Sequence, residues 1–139
     1  MSDVSYLIDT SAAVRLLSSD AYDEDWEQAL DNGLVALCDL TELEILFSAR
    51  GRADREGIQE ELRQLFSWTL MPDGIYQRAR EVQQLLTDNG EHRSAGPVDL
   101  LLAATAELSD LTLLHHDRDF ETVARRTGQS SAWLAEPGS

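Results

Sequence analysis

Lysine is absent from this chain, so all 11 of its basic residues are arginines, set against 26 Asp and Glu for a formal net charge of −15. That balance argues against a protein that grips nucleic acid by neutralising many phosphates, because such binding needs a basic face, but not against a nuclease whose clustered carboxylates hold cations that meet the phosphate. Most of the acidity serves solubility. Only one cysteine, Cys38, is present, so no disulfide can close within the chain, in keeping with a reducing compartment. At the end of an apolar strand pattern, Cys38 reads as a small buried hydrophobe. No apolar run is longer than Leu100–Ala104, far short of the roughly 20 residues that span a bilayer. No basic segment followed by an apolar one opens the chain. The expectation is a soluble cytoplasmic protein without membrane contact, built as a single domain over residues 1–139, a common domain size.

What is present alternates. Val4–Ile8 is a short apolar run of the kind buried on both faces of a sheet, and Asp9, Thr10 and Ser11 then supply side chains that favour a helix start. Ala12, Ala13, Leu16 and Leu17 line that helix. An acidic helix over Tyr22–Leu30 ends at Asn32-Gly33, and Leu34–Cys38 reads as a second strand. Thr41 is placed to cap a helix running to Arg50, and the apolar spacing of Ile58, Leu62, Leu65 and Phe66 predicts a helix over Asp54–Trp68. A helix from Ile75 to Leu86 leads into a polar loop, Thr87–Gly96, that reads as flexible. Pro97 suits the first turn of a helix running through Asp99 to Leu108, followed by a strand over Leu111–His115 and a helix over Arg118–Arg126. Ser131–Leu134 adds an edge strand, and Glu136–Ser139 reads as a frayed tail. Strands separated by helices imply a parallel sheet covered on both faces, an α/β fold.

Four acids occupy positions that this order makes expensive. Asp9 closes an apolar strand, Asp99 opens the apolar helix at Leu100, Glu44 borders the face formed by Leu43, Leu46 and Phe47, and Asp117 follows the strand ending at His115. A carboxylate near a core needs a partner. No arginine is adjacent to Asp9 or Asp99, so a divalent cation is the natural one. In a parallel α/β sheet, ligands gather beyond the carboxyl ends of the strands, where Asp9 and Asp117 belong. Glu44 and Asp99 reach that edge only if their helices pack across the sheet.

The stretches Tyr6–Ala12, Thr41–Arg50, Pro97–Ala106 and Leu113–Phe120 resemble, in order, the four motifs of PIN-domain ribonucleases, and most of all those of VapC-type toxins. The resemblance covers roughly residues 4–134. It implies a three-layer α/β/α fold with a central parallel sheet and a metal-dependent endoribonuclease acting as the toxin of a toxin–antitoxin pair. The implied metal is Mg2+ or Mn2+, held by Asp9, Glu44, Asp99 and Asp117, with Asp119 as a further ligand. It also implies an RNA substrate, a cognate small antitoxin and a homodimer. Asp9 and Asp99 have an alternative reading as helix-terminal acids, favoured by capping and by the helix dipole.

Three choices follow from local geometry. Glu42 and Glu44 point about 200° apart on one helix, so only one faces the site; the aliphatic and aromatic residues after Glu44 match the family pattern, which leaves Glu42 on the surface. Asp117 lies nearest the strand end and takes precedence over Asp119. Thr10 and Ser11 can hydrogen-bond a carboxylate or a substrate phosphate, or merely cap a helix. Arg50 is the foremost candidate for an RNA phosphate, with Arg15, Arg52 and Arg118 behind it. His115 stands where relatives often carry Thr, and it and His116 are open either to proton transfer or to structural roles. Trp26, Phe66 and Trp68 read as core or interface residues.

Two rival functions fit the residues less well. A phosphotransferase forming an aspartyl-phosphate at Asp9 usually has a second Asp two residues on and a lysine for the phosphate, whereas Ser11 and a lysine-free chain stand here. A catalytically silent PIN-like module would be marked by lost acids, and none is missing.

Overall fold

A computed structural model describes residues 3–18 and 24–138. Five strands, β1 (Tyr6–Ile8), β2 (Val35–Leu37), β3 (Ser67–Trp68), β4 (Thr112–His115) and β5 (Ser131–Trp133), form one sheet in the order β3-β2-β1-β4-β5, with every pair parallel. Among the described residues seven helices connect or flank them: α1 (Thr10–Ser18), α2 (Glu24–Asp31), α3 (Asp39–Phe47), α4 (Arg52–Leu65), α5 (Ile75–Asp88), α6 (Pro97–Leu108) and α7 (Asp119–Thr127). The α/β expectation holds. Tyr22, at the expected start of the acidic helix, lies outside the described residues, as does Ser139.

The strands are short and apolar because both faces are covered. Side chains alternate across the sheet, so Leu7 and Leu113 join a core with Val82, Leu86, Ala103, Phe120 and Val123 from α5, α6 and α7. Ile8, Val35, Leu37 and Leu114 join Ala12, Leu16, Ile45 and Leu62 from α1, α3 and α4 on the opposite face. Cys38 is fully buried beside the first of these cores. Register pairs Leu7 with Leu113 and Ile8 with Leu114, which brings the ends of β1 and β4 level.

Local pattern and structure part in three places. The helix expected over Asp54–Trp68 is instead α4, ending at Leu65; Phe66 turns to extended backbone (φ −112°, ψ 148°) and Ser67–Trp68 pairs with Ala36 and Leu37. The free edge of β2 takes these residues, and Thr69 N–H extends the pairing to the Leu37 carbonyl at 2.9 Å. Helix α3 starts at Asp39 rather than at Thr41, whose side chain is fully buried near the Cys38 sulfur. The segment after α5 is tied down: Glu91 N–H donates to Leu86 O at 2.7 Å, and its carboxylate holds Arg125 at 2.9 Å and Arg126 at 2.6 Å on α7.

The strand order places a topological switch point between β1 and β4, from which the chain winds outward in both directions. The crevice beyond the carboxyl ends of those two strands is where an open α/β sheet binds ligands.

Candidate active site

Asp9 and Asp117 flank that crevice. Asp9 is 3% exposed. Its backbone N–H continues the sheet to Leu114 O at 3.0 Å, its carbonyl accepts Ala13 N–H at 3.0 Å, and its Oδ1 accepts Ala12 N–H at 2.9 Å. Capping and site roles therefore coincide in one residue: the start of α1 fixes the carboxylate at the strand end. Burial pushes the Asp9 carboxyl from 3.8 to about 6, against the Ala12 and Ser11 hydrogen bonds that lower it, and the negative charge of Asp99 adds to the rise.

Asp99 sits in the first turn of α6, where its Oδ2 accepts Gly96 N–H at 3.3 Å. Its pKa is raised, first by burial and then, against the Gly96 bond, by the charges of Asp117, Glu44 and Asp119. The fold thus brings Glu44 and Asp99 within electrostatic reach of the strand-end acids. Asp119 is raised as well, by burial and by Asp117.

Thr10 and Ser11 bond to carboxylates. Thr10 Oγ1 donates to Glu44 Oε1, linking α1 to α3. Ser11 Oγ lies 2.8 Å from both Asp9 carboxylate oxygens and accepts the His116 N–H at 3.0 Å, joining the turn after β1 to the turn after β4. Glu42 lies two residues from Glu44 and is held instead by Arg63 at 3.4 Å. Arg50 is exposed beyond the end of α3, its backbone N–H bonded to Asp54 Oδ2 at 2.8 Å, and no described contact brings its side chain to the acids.

The turn carrying Asp117 is closely hydrogen-bonded. His115 Nδ1 accepts Asp117 N–H at 3.2 Å, Asp117 Oδ1 accepts Asp119 N–H at 3.0 Å, and Asp117 O accepts Phe120 N–H at 3.2 Å. His115 is fully buried, 5.3 Å from the Phe120 ring and 4.9 Å from the Trp133 ring. Burial pushes its pKa down, with Asp117 opposing, so the ring is neutral and its proton sits on Nε2, which has no partner among the described residues. His115 Nδ1 is thus engaged with the Asp117 backbone. Trp133, read from sequence only as part of an edge strand, is the aromatic missed there; its position at the end of β5, beside β4, was the available signal.

Among the described residues, no set of three or more His, Cys, Asp or Glu side chains closes to ligating distance around one point. The donor set nonetheless fits a hard divalent ion. All the ligands offered are carboxylate oxygens, and Mg2+ keeps several waters while bonding one or two carboxylates and a substrate phosphate. Asp9 and Asp99 lie within electrostatic reach of each other, and Asp117, Glu44 and Asp119 within reach of Asp99.

A family profile described as "PIN domain" matches residues 6–126. The chain belongs to the PIN-domain family. This PIN domain is 44% identical over 135 residues to Ribonuclease VapC2 of Mycobacterium tuberculosis, covering 96% of the chain and 95% of that relative. It is 39% identical over 134 residues to Ribonuclease VapC21 of the same species, covering 96% of each. Its fold is similar to that of VapBC2 from Rickettsia felis bound to a DNA fragment from their promoter, with a TM-score of 0.76, 16% identity and coverage of 92% and 97%. DNA-bound VapBC from Salmonella typhimurium gives a TM-score of 0.76, 16% identity and coverage of 95% and 99%.

Proposed function

We propose that this PIN domain is a Mg2+- or Mn2+-dependent endoribonuclease that hydrolyses RNA phosphodiester bonds and acts as the toxin of a toxin–antitoxin pair. The observation that carries the reading is that Asp9, Glu44, Asp99, Asp117 and Asp119 come within electrostatic reach of one another about the switch point, Asp9 being raised by burial and Asp99, and Asp99 by burial, Asp117, Glu44 and Asp119. Such a cluster repels an RNA phosphate unless a cation intervenes. When bound, the ion supplies positive charge to the phosphoryl oxygens and lowers the pKa of a water. Asp9 and Asp99 would hold the ion, while Ser11 bonds the Asp9 carboxylate, Thr10 bonds Glu44, and His115 accepts from the backbone from which Asp117 extends. In the reaction, a water oxygen bonds to phosphorus as the bond from phosphorus to one ribose oxygen breaks; the water loses a proton to solvent or a site carboxylate and the leaving ribose oxygen takes one up, giving a phosphate monoester and a free hydroxyl. A silent binding module is disfavoured because every acid of the cluster is retained.

The partner reading rests on the names of the relatives and on one surface. Leu43 and Phe47, four residues apart on α3, are 62% and 92% exposed, an apolar ridge on the helix that carries Glu44 and open to a small antitoxin or a second copy of the chain. The test is direct. Asp9→Asn or Asp99→Asn abolishes Mg2+- or Mn2+-dependent cleavage of total bacterial RNA while circular dichroism stays native, and co-expression of the cognate partner relieves growth arrest. Full activity in both variants, or normal growth of cells accumulating the native protein alone, refutes the reading.

A further inference from the structure

A cleft of about 480 Å3 opens beside the acid cluster, lined by His116, Asp117, Arg118, Trp133 and Gly138. Asp117 is a wall of both. We propose that this cleft is the subsite for the nucleotide next to the scissile phosphate, its base stacking on Trp133 and its phosphate held by Arg118. The proposal rests on the ribonuclease reading and adds to it the residues that seat the strand.

Three observations support it. First, Trp133 is a fixed platform. Its Nε1–H donates to Glu121 Oε1 at 2.7 Å, His115 packs 4.9 Å from its ring, and His116 meets it edge-on at 5.3 Å and 89°. The side chain is only partly buried and lines the cleft, and a partly exposed, immobilised indole offers stacking area at little entropic cost. Second, Arg118 is exposed and adjacent to Asp117, yet it forms no ion pair among the described residues, in a chain with 26 acids for 11 arginines. Its guanidinium stays available for bidentate contact with a phosphate. Third, the cleft lies within the range of about 300–1,000 Å3 typical of small-ligand sites, which accommodates one nucleotide. An aromatic face beside a cation is how proteins hold single-stranded RNA without reading its sequence. Because the strand enters along Asp117, the phosphate after the stacked base is delivered to the carboxylates.

The experiment measures binding of a short, fluorescein-labelled, mixed-sequence single-stranded RNA to the full chain by anisotropy, in Mg2+ and over a series of NaCl concentrations. An Asp9→Asn background keeps the strand uncut. Adding Arg118→Gln weakens binding about tenfold and lowers the log–log salt slope by about 1. Adding Trp133→Leu weakens binding about tenfold with the slope unchanged, whereas Trp133→Phe keeps a ring and most of the affinity. Arg55→Gln, which removes one charge from α4 away from the cleft, leaves the affinity and slope of the background intact. If Trp133→Leu does not fold, Arg118→Gln and Trp133→Phe decide. Native affinity and slope in Arg118→Gln, or equal losses in Arg118→Gln and Arg55→Gln, overturn the subsite. The native chain is assayed in parallel on total bacterial RNA: cleavage there with no effect of Arg118→Gln on binding refutes the subsite alone, while absence of cleavage refutes the ribonuclease reading beneath it.

Discussion

Asp9→Asn is expected to stabilise the metal-free protein at neutral pH. The folded chain holds the Asp9 proton more tightly than the unfolded chain does, because burial raises its pKa from 3.8 to about 6. Its contribution to stability is therefore fully present below about pH 4 and is lost as pH rises through about 6. That rise is worth about 3 kcal/mol at neutral pH, and almost none of it is screened at a residue 3% exposed. Asparagine is nearly isosteric and uncharged, and its Oδ1 can still accept Ala12 N–H, but the charge-assisted bond from Ser11 is weakened. A net gain of about 1–3 kcal/mol remains, equivalent to a rise in melting temperature of roughly 4–10 °C for a chain of this size. The assay is calorimetric melting of both proteins in EDTA from pH 4 to pH 8. The gap should open between pH 4 and pH 7 and shrink when Mg2+ or Mn2+ is added, since saturation at 100 times the dissociation constant stabilises the native protein by about 2.7 kcal/mol. A variant that is less stable than the native chain by the same amount at pH 4 and pH 8 would sink the reasoning: Asp9 would then be a structural cap and no reservoir of repulsion.

Two further substitutions probe the supports of the site. Thr10→Val removes the donor to Glu44 with little change of volume and should lower RNA cleavage several-fold while costing about 1 kcal/mol of stability or less; unchanged cleavage would show that Glu44 needs no such restraint. His115→Phe keeps a ring between Phe120 and Trp133 but strands the Asp117 N–H, so the Mn2+ concentration giving half-maximal cleavage should rise about tenfold, from the roughly 1–3 kcal/mol of an orphaned buried donor. His115→Asn restores an acceptor near the Nδ1 position and should recover most of that shift despite lower stability. A native Mn2+ requirement in His115→Phe would refute the positioning role.

Asp9 and Asp117 could be placed on the ligand-binding edge from sequence because each punctuates a short apolar strand, and a carboxylate there has a limited set of explanations. Asp99 and Glu44 could not, since their approach depends on how α6 and α3 lie across the sheet, which no local spacing encodes. Ser67–Trp68 carries the helical spacing of the residues before it and becomes a strand only because the edge of β2 is free to pair, a case of tertiary context overriding pattern. The Ser11 to His116 hydrogen bond joins residues 105 apart in sequence, and the Nδ1 contact of His115 depends on burial between two rings. Such contacts are visible only once β1 and β4 are known to be neighbours.

The same neighbourhood resolves the tension between an acidic chain and an anionic substrate. A nuclease that relies on a basic surface attracts RNA everywhere and must discriminate afterwards. Here the surface charge is repulsive, and on the reading proposed above phosphate is received by a cation at Asp9 and Asp99 and by Arg118, which, like Arg50, Arg52, Arg55, Arg80 and Arg93, has no ion pair among the described residues. Of these arginines Arg118 lines the cleft that Asp117 also walls, so attraction there leads the strand past Asp117 to the acid cluster. On this argument, binding and cleavage are coupled through the metal: chelation should weaken RNA binding as it abolishes activity, whereas in a protein gripping RNA by surface arginines it would remove activity alone. RNA binding that persists undiminished in EDTA would separate the two and return the grip to the arginines.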